Sequence, residues 1–183
     1  MTPAPNLRMS EADYLASEPG SAVKREYING EAVAMAGASL VHGLVTSNLN
    51  VALGTRLRGS PCRPYGSDTR IHVPDTGLYT YPDLSVICGR IEVHPEEGST
   101  AMNPRVIFEV LSEGTEAYDR GAKFGHYRHI PSLREYVLVS QEIERVEHYA
   151  RAEGGRWILR EFGPGDAIPL PTLAVELPVD ELY

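Results

Sequence analysis

The stretch RVIFEVL, residues 105–111, is the most apolar run in the chain, and it carries one acid in its middle. In a β-strand, side chains alternate between two faces, so Phe108 and Val110 would share one face and Glu109 would share the other with Ile107. A strand that is apolar on both faces is normally buried on both. A lone ionised carboxylate there needs a cation, a proton or a metal. The sequence therefore predicts either a functional role for Glu109 or a structural pairing with an arginine.

A second acid stands at the start of an apolar run. Asp83 follows Pro82 within YTYPDLSVIC, residues 79–88. Proline points to a strand start or an edge strand, and β propensity disfavours an acid at such a place. An aspartate that simply ends a turn is the alternative. Together with Glu109 on a neighbouring strand, however, Asp83 would form a hard-oxygen pocket suited to Mg²⁺ or Mn²⁺.

A helix predicted over residues 115–130, ended by Pro131, supplies a third element. Asp119, Lys123 and Tyr127 occur at positions i, i+4 and i+8, and therefore lie along one side of that helix. One interpretation is a surface ion pair with an aromatic neighbour. The functional interpretation is a lysine directed back over the two carboxylates, where it orients or deprotonates water or offsets charge on a phosphate.

The remaining pattern indicates an α/β (α+β) protein. The predicted elements are a helix after Ser10, a hairpin around Asn29-Gly30 whose second strand opens with Glu31, a helix over 42–58 capped by Ser39, strands over 63–73, 79–88, 105–111 and 134–140, and a hairpin around Glu153-Gly154-Gly155. We expect one domain over residues 1–183, with residues 1–20 as a polar N-terminal lead. The final segment PTLAVELPVDELY either completes that domain or forms a dimer contact.

The composition of the chain limits the classes of protein to which it can belong. The chain has 183 residues, of which 42% are hydrophobic and 23% charged, as in globular proteins. It shows no secretory signal and no apolar run near the roughly 20 residues that cross a bilayer. Cys62 and Cys88 indicate neither a disulfide framework nor a CxxC metal pair, so we expect reduced thiols and a cytoplasmic location. Five histidines without metal-ligand spacing are expected at the surface or at interfaces: His72, His94, His126, His129 and His148.

Charge is unevenly distributed along the chain. The formal net charge is −8, but residues 120–134 hold four basic residues and no acid. Residues 135–183 hold ten acids against four basic residues. Because non-specific phosphate binding follows local basic contacts, the total charge does not exclude a nucleic-acid partner. It argues against tight binding without metal. Arg120 and Arg128 are the predicted contacts to backbone phosphates.

Several stretches, taken in their order, resemble a known family: YINGE (27–31), His42, YPDLSVI (81–87), FEVLS (108–112), DRGAKFGHY (119–127) and PSLREYVLV (131–139). The chain is similar over most of its length to the Uma-type restriction-endonuclease-like family of the PD-(D/E)xK nuclease superfamily. The resemblance implies a restriction-endonuclease-like core, in which a mixed β-sheet is flanked by helices.

The resemblance also implies a set of site residues. Asp83 and Glu109 would bind Mg²⁺ (or Mn²⁺) together with the main chain near Val110, and Lys123 would be the catalytic base or electrostatic partner. The supporting residues it implies are Glu31 as an additional acid, His42 as a polar neighbour, and Asp119 and Tyr127 on the helix. Leu111 stands where the superfamily usually has a lysine, which implies that this role has moved to Lys123.

The predicted function is metal-dependent hydrolysis of phosphodiester bonds in DNA by an endonuclease, acting as a homodimer by analogy with enzymes that cut both strands. One alternative is a catalytically inactive nuclease-fold module for binding or assembly, which Leu111 and the acidic total charge favour. Another is a β-rich metalloprotein with His42 and His72 as ligands, against which the two strand-embedded acids argue.

Overall fold

In the computed structural model, residues 8–35 and 37–183 are described. The strands are β1 (Arg25–Ile28), β2 (Glu31–Ala34), β3 (Cys62–Gly66), β4 (Ile71–Val73), β5 (Leu78–Thr80), β6 (Leu84–Cys88), β7 (Val106–Leu111), β8 (Glu135–Ser140), β9 (Val146–Arg151), β10 (Trp157–Phe162), β11 (Ala167–Leu170) and β12 (Val175–Pro178). The helices are α1 (Glu11–Ser17), α2 (Leu40–Arg56), α3 (Glu116–Tyr118) and α4 (Phe124–Tyr127), with a π-helical turn (Asp119–Lys123) between α3 and α4 and 3₁₀ turns at Glu18–Gly20, Glu153–Gly155 and Val179–Glu181. No helix in this part of the chain is long and apolar enough to cross a membrane.

A six-stranded mixed sheet in the order β10-β9-β8-β7-β6-β3 forms the centre of the fold. The strand β7 is parallel to β8 and antiparallel to β6, and all six of its residues are buried. The prediction of a strand covered on both faces is therefore confirmed. A smaller antiparallel sheet has the order β2-β1-β5-β4, and β11 and β12 form a separate hairpin.

Each face of the six-stranded sheet has its own apolar core. On one face, Phe108 packs with Leu49 and Leu53 of α2 and with Leu177 of the β11–β12 hairpin. On the other face, residues of β7 and β8 pack with Phe124 and Tyr127 of the helical segment and with residues of β4 and β5. The mixed sheet is thus flanked by helices, as predicted. The C-terminal segment contributes to the first core, since Leu173, Leu177, Val179 and Leu182 are buried there.

Local signals in the sequence correctly placed several elements. The Ser10 side chain accepts a hydrogen bond from the main-chain N–H of Asp13 at the start of α1. Asn29 and Gly30 have φ values of 51° and 87°, as a two-residue hairpin turn between β1 and β2 requires. The Ser39 side chain caps α2. Such signals are reliable because they depend on neighbours within a few residues.

Two stretches that were each predicted as one continuous strand consist of two strands. Residues 63–73 contain β3 and β4, and residues 79–88 contain β5 and β6, so that each stretch crosses from one sheet to the other. The second break falls at residues 81–83, where Pro82 has no N–H to donate to a strand ladder. The division of each apolar run between two sheets depends on packing, which sequence periodicity does not report.

The prediction of one regular helix over residues 115–130 was also wrong, because the segment contains an irregular turn and ends earlier. The regular helix ends at Tyr127, and the preceding turn, Asp119–Lys123, is π-helical. A π-turn leaves main-chain carbonyls outside the regular i to i+4 pattern. The phenol of Tyr136 in β8 donates a hydrogen bond of 3.0 Å to the Asp119 carbonyl. The tertiary partner that supports the irregular turn therefore lies on the sheet.

The expectation of reduced cysteines was wrong. Cys62 and Cys88 form a disulfide between β3 and β6, where the strand register places the two residues directly opposite each other. Their sequence separation of 26 residues gave no indication of this pairing. The register of two strands is fixed by the packing of the whole sheet, and it brings together residues that are distant in the chain.

The expectation of surface histidines was wrong for three of the five. His72, His94 and His148 are buried, whereas His129 is exposed and His126 is half-buried. The ring of His148 lies 2.9 Å from the buried carboxylate of Glu135. Burial of this kind follows from a tertiary partner, which the spacing of histidines in the sequence does not reveal.

Candidate active site

The structure places Asp83 and Glu109 next to each other at one end of β6 and β7. Leu84 lies opposite Phe108 in this antiparallel pair, so the preceding Asp83 comes opposite Glu109. The main-chain N–H of Asp83 donates to Oε2 of Glu109 at 3.2 Å. The main-chain N–H of Val110 in turn donates to Oδ2 of Asp83 at 2.7 Å. Backbone donors therefore fix the orientation of both carboxylates.

His42 reaches the same place from α2. The Ser39 cap fixes the start of that helix, and Nε2 of His42 lies 3.1 Å from Oδ2 of Asp83. The hydrogen bond to Asp83 raises the pKa of His42, although partial burial opposes the rise. The same oxygen of Asp83, Oδ2, thus accepts a hydrogen bond from the β7 main chain and contacts the imidazole of His42.

Lys123 lies inside a group of buried carboxylates. Its Nζ is 2.9 Å from Oε1 of Glu109, 3.3 Å from Oε1 of Glu26 and 3.4 Å from Oδ1 of Asp119. The π-helical turn carries both Asp119 and Lys123, and both side chains point into the protein. The surface ion pair considered for this helix is therefore absent, because the pair between Asp119 and Lys123 is buried.

Tyr127 completes the surroundings of Glu109. Its phenol donates a hydrogen bond of 2.7 Å to Oε1 of Glu109, the same oxygen that faces Lys123. Burial raises the pKa of Tyr127 well above its usual value, and the neighbouring Glu109 adds to the rise. The phenol therefore remains a hydrogen-bond donor at any working pH. The arginine considered as a structural partner of Glu109 is replaced here by a lysine.

Burial and the neighbouring charges have opposite effects on the pKa values of Glu109 and Lys123. Burial raises the pKa of Glu109 to about 8, although the ammonium of Lys123 favours the ionised form. Burial also raises the pKa of Asp119. For Lys123, burial favours the neutral amine, but the carboxylates of Glu109, Glu26 and Asp119 outweigh it and raise the pKa well above the usual value. Lys123 consequently remains protonated in the metal-free protein.

Glu26 is the site residue that the sequence reasoning missed. It lies on β1 of the smaller sheet, is buried, and contacts Lys123. The hydroxyl of Thr80 donates a hydrogen bond to its Oε1. The available signal was an acid within the short strand REYI, the same kind of signal that pointed to Glu109. The structure instead places Glu31, the additional acid expected from the resemblance, at an exposed position at the start of β2.

The two arginines expected to contact phosphates lie on the helical segment but have protein partners. The guanidinium of Arg120 lies 2.7 Å from Glu147 and also contacts Glu116. Arg128 is exposed, and its guanidinium lies 5.4 Å from the ring centre of Phe124. A phosphate would have to displace the acids around Arg120, whereas Arg128 is directly accessible.

The donor chemistry fits a hard cation bound by few protein ligands. Within the described residues, no group of three or more histidine, cysteine or acidic side chains is spaced to hold a metal ion. Mg²⁺, however, commonly takes one or two carboxylates and completes its shell with water. Asp83 and Glu109 provide such a pair. The histidine metalloprotein considered from the sequence is not supported, since His72 is stacked on Tyr79 in the smaller sheet.

The fold has a counterpart among solved structures. A solved structure from Anabaena variabilis ATCC 29413, described as a putative nuclease belonging to DUF820, matches with a TM-score of 0.73 over 92% of this chain and 96% of that one. Its sequence identity is 17%, so the likeness shows the fold alone. Residues 11–180 match the Uma2 family, described as "Putative restriction endonuclease", and the chain belongs to this family. The resemblance found in the sequence is thereby confirmed.

Relatives in a cyanobacterium cover nearly the whole chain. An uncharacterised protein of Synechocystis sp. is 34% identical over 180 residues, which are 98% of this chain and 94% of the relative. A second uncharacterised protein of the same organism is 36% identical over 154 residues, or 84% of this chain and 87% of the relative. The similarity therefore extends over the strands and the helical segment that carry the site.

Proposed function

We propose that the protein is a nuclease that hydrolyses phosphodiester bonds of DNA with the help of Mg²⁺ (or Mn²⁺), held by Asp83 and Glu109. The observation that carries the proposal is the buried contact of 2.9 Å between Lys123 and Glu109, directly beside Asp83. Membership of the Uma2 family supports it. Buried, strongly perturbed acids and bases gathered in one place are typical of functional sites.

The metal, when bound, would polarise the scissile phosphate and lower the pKa of a bound water. The main-chain N–H of Val110 and the ring of His42 hold Asp83 in position. Tyr127 orients Glu109 through its phenol. These supports would keep both carboxylates aligned for the metal, which a main-chain carbonyl near Val110 would help to hold.

Lys123 would act through its charge. A general base must lose its proton near the working pH, and the surrounding carboxylates keep Lys123 protonated. A fixed ammonium instead stabilises the negative charge that develops on phosphate oxygens in the transition state. With Leu111 at the position that usually carries the lysine, Lys123 is the buried cation next to Glu109. Arg128 would add an exposed contact to the backbone phosphates.

A cleavage assay tests the proposal. Supercoiled plasmid, linear duplex, single-stranded DNA and RNA are incubated with Mg²⁺, Mn²⁺ or EDTA. We expect DNA cleavage that needs metal and that falls by about 10³-fold in Asp83→Asn and Glu109→Gln, because each loses a metal ligand. The matched control is Glu31→Gln, an exposed acid, which should keep full activity. Equal cleavage by wild type and Asp83→Asn, or cleavage in EDTA, would overturn the proposal.

A second candidate is a nuclease-fold module that binds or assembles without turnover. The observation that favours it is the almost complete burial of Glu109, Asp119 and Lys123, which leaves little of the cluster open to a substrate. Binding of Mg²⁺ and of a DNA duplex by calorimetry separates the candidates. Binding that is lost in Asp83→Asn, together with no cleavage of any substrate, would favour the module. Cleavage that depends on Asp83 excludes it.

A further inference from the structure

A cleft lies between the central sheet and the hairpin of β11 and β12, and we call it the hairpin cleft. Residues of β9 and β10 line one side, and residues of the hairpin line the other. Its volume of about 510 Å³ falls in the range of roughly 300–1,000 Å³ that small-molecule sites have. Among the described residues that line it, none belongs to the candidate active site. The hairpin cleft is therefore a separate place where a ligand could bind.

His148 brings an imidazole with one unpartnered nitrogen to this cleft. The residue lies on β9, lines the cleft and is only 3% exposed. Its Nε2 lies 2.9 Å from Oε2 of the buried Glu135, whose Oε1 accepts a hydrogen bond of 2.9 Å from the main-chain N–H of Thr172 in the hairpin turn. Nδ1 of His148 is buried and has no hydrogen-bond partner among residues 8–35 and 37–183. Because a buried polar atom without a partner is unfavourable, a ligand group that met Nδ1 would gain by binding there.

Arg160 adds a positive charge beside that imidazole. The register of β9 and β10 sets Arg160 directly opposite His148, and side chains opposite each other in an antiparallel pair lie on the same face of the sheet. Arg160 is exposed and lines the cleft. None of the ion pairs in the described part of the chain includes it. Arg160 therefore offers an unpaired guanidinium on the same side of the cleft as His148.

Three aliphatic residues form an apolar wall of the cleft: Ile158, Leu170 and Val175. Ile158 lies two residues before Arg160, on the same face of β10, and is 49% exposed. Leu170 and Val175 lie opposite each other in the hairpin. Since the removal of apolar surface from water is favourable, this wall favours a ligand with a hydrocarbon body.

We propose that the hairpin cleft binds a small monocarboxylic acid, whose carboxyl group contacts Arg160 and Nδ1 of His148 and whose hydrocarbon body lies on the apolar wall. Because Nε2 of His148 faces the carboxylate of Glu135, Nε2 carries the proton of the neutral ring. Nδ1 of that ring accepts a hydrogen bond from a protonated acid, and Nδ1 of the charged ring donates one to a carboxylate. A carboxyl group therefore satisfies Nδ1 in either state, and as a carboxylate it also pairs with the guanidinium of Arg160.

The other charge in the cleft limits the ligand to a single carboxylate. Glu176 lines the cleft from β12 and is exposed. A second anionic group on the ligand would be repelled by Glu176. A cationic ligand would be attracted to Glu176 only weakly, because that carboxylate is in water, and it would be repelled by Arg160. A neutral alcohol would leave the charge of Arg160 without a partner, so the charges of the cleft select one carboxylate on an apolar body.

Heteronuclear NMR titration of the full chain at neutral pH and constant ionic strength tests the proposal independently of any nuclease activity. Three probes have the same apolar body and differ in charge: hexanoate, hexan-1-ol and hexylammonium. We expect hexanoate to bind saturably with a dissociation constant of about 1 mM or below, and to shift the resonances of His148, Arg160 and Ile158 most. Hexan-1-ol and hexylammonium should bind about 10-fold more weakly or worse, because neither pairs with Arg160.

Two variants test the assigned contacts. Arg160→Gln should weaken the binding of hexanoate by about 10-fold and leave that of hexan-1-ol unchanged, because only the carboxylate pairs with the guanidinium. Glu176→Gln should strengthen the binding of hexanoate by about 2-fold, because it removes a repelling charge. The matched control is Arg156→Gln, which changes an exposed arginine that does not line the cleft and should bind hexanoate like wild type.

The spectra of the three variants without ligand, compared with that of wild type, check that each variant keeps the fold. If hexanoate causes no saturable shifts in wild type, the proposal is overturned. Binding of hexan-1-ol or hexylammonium as tightly as hexanoate also overturns it. So does an Arg160→Gln variant that binds hexanoate as tightly as Arg156→Gln does.

Discussion

The ammonium of Lys123 lies 2.9 Å from the carboxylate of Glu109, and the two residues are only 5% and 3% exposed. Two further buried acids, Glu26 and Asp119, face the same ammonium. One cation therefore contacts three buried carboxyl groups in a place that bulk water hardly reaches. The cluster combines a stabilising internal cation with an excess of negative charge that a metal ion could offset.

Replacement of Lys123 by methionine should destabilise the metal-free protein by about 3–5 kcal/mol, because it leaves buried carboxylates without their cation. Urea denaturation in EDTA measures this loss. Mg²⁺ should then stabilise Lys123→Met more than it stabilises wild type, since the metal replaces the missing positive charge. The control is Lys24→Met, which removes an exposed lysine paired to Asp68 and should cost less than about 1 kcal/mol. Equal losses in both variants would contradict the assigned role.

The stability of the metal-free protein should fall as the pH rises from about 6.5 to about 8, whereas below about 6.5 the lowered pKa of the buried His72 acts in the opposite direction. Burial raises the pKa of Glu109 from 4.5 to about 8, so in this window the folded state binds a proton that the unfolded state has released. The raised pKa of His42 acts in the same direction, because its stabilisation is lost as the pH rises through the folded value. The contribution of Glu109 is at most about 5 kcal/mol.

Glu109→Gln isolates that contribution. The amide cannot ionise, so the variant should have a flatter stability profile than wild type, with only the slope due to His42 and the other groups remaining. Urea denaturation of both proteins in EDTA, at about pH 5.5 and at about pH 8.5, measures the two slopes. This span of about 3 pH units covers most of the range in which Glu109 is expected to titrate. Parallel profiles of the two proteins would show that Glu109 is already ionised at pH 5.5.

Glu26 and Glu31 should respond differently to the same substitution. Glu26→Gln removes a buried charge that contacts Lys123, so we expect a loss of about 1–3 kcal/mol and weaker cleavage of DNA. Glu31→Gln changes an exposed residue and should alter stability by less than about 0.5 kcal/mol. Thermal unfolding and the plasmid assay provide the measurements. If Glu31→Gln had the same effect as Glu26→Gln, Glu31 would be the additional acid of the site, as the resemblance implied.

The disulfide between Cys62 and Cys88 should stabilise the oxidised protein by about 3.5 kcal/mol, because it closes a loop between residues 26 apart in the sequence and so restricts the unfolded chain. Unfolding of wild type with and without dithiothreitol measures this difference. The double variant C62S/C88S should unfold like reduced wild type and should not respond to the reductant. If reduction of both cysteines by dithiothreitol left the free energy of unfolding of wild type unchanged, this expectation would be contradicted.

The sequence by itself determined the central strand, the hairpin at Asn29-Gly30 and the helix starts at Ser10 and Ser39. It also determined the family, through the ordered motifs around Asp83, Glu109 and Lys123. These features are readable because they depend on alternation, turn geometry and capping among residues that are near each other in the chain. A buried acid in an apolar strand is equally local, since its energetic cost follows from the surrounding residue types.

Only the tertiary structure decided which distant residues share a site. Glu26 reaches Lys123 because β1 belongs to the smaller sheet, which packs over the helical segment, and Cys62 meets Cys88 because of the register between β3 and β6. The same packing divides residues 79–88 between two sheets and leaves Glu31 exposed. Strand register and the contact of one sheet with another are set by the burial of all apolar faces together, so no single stretch of sequence specifies them.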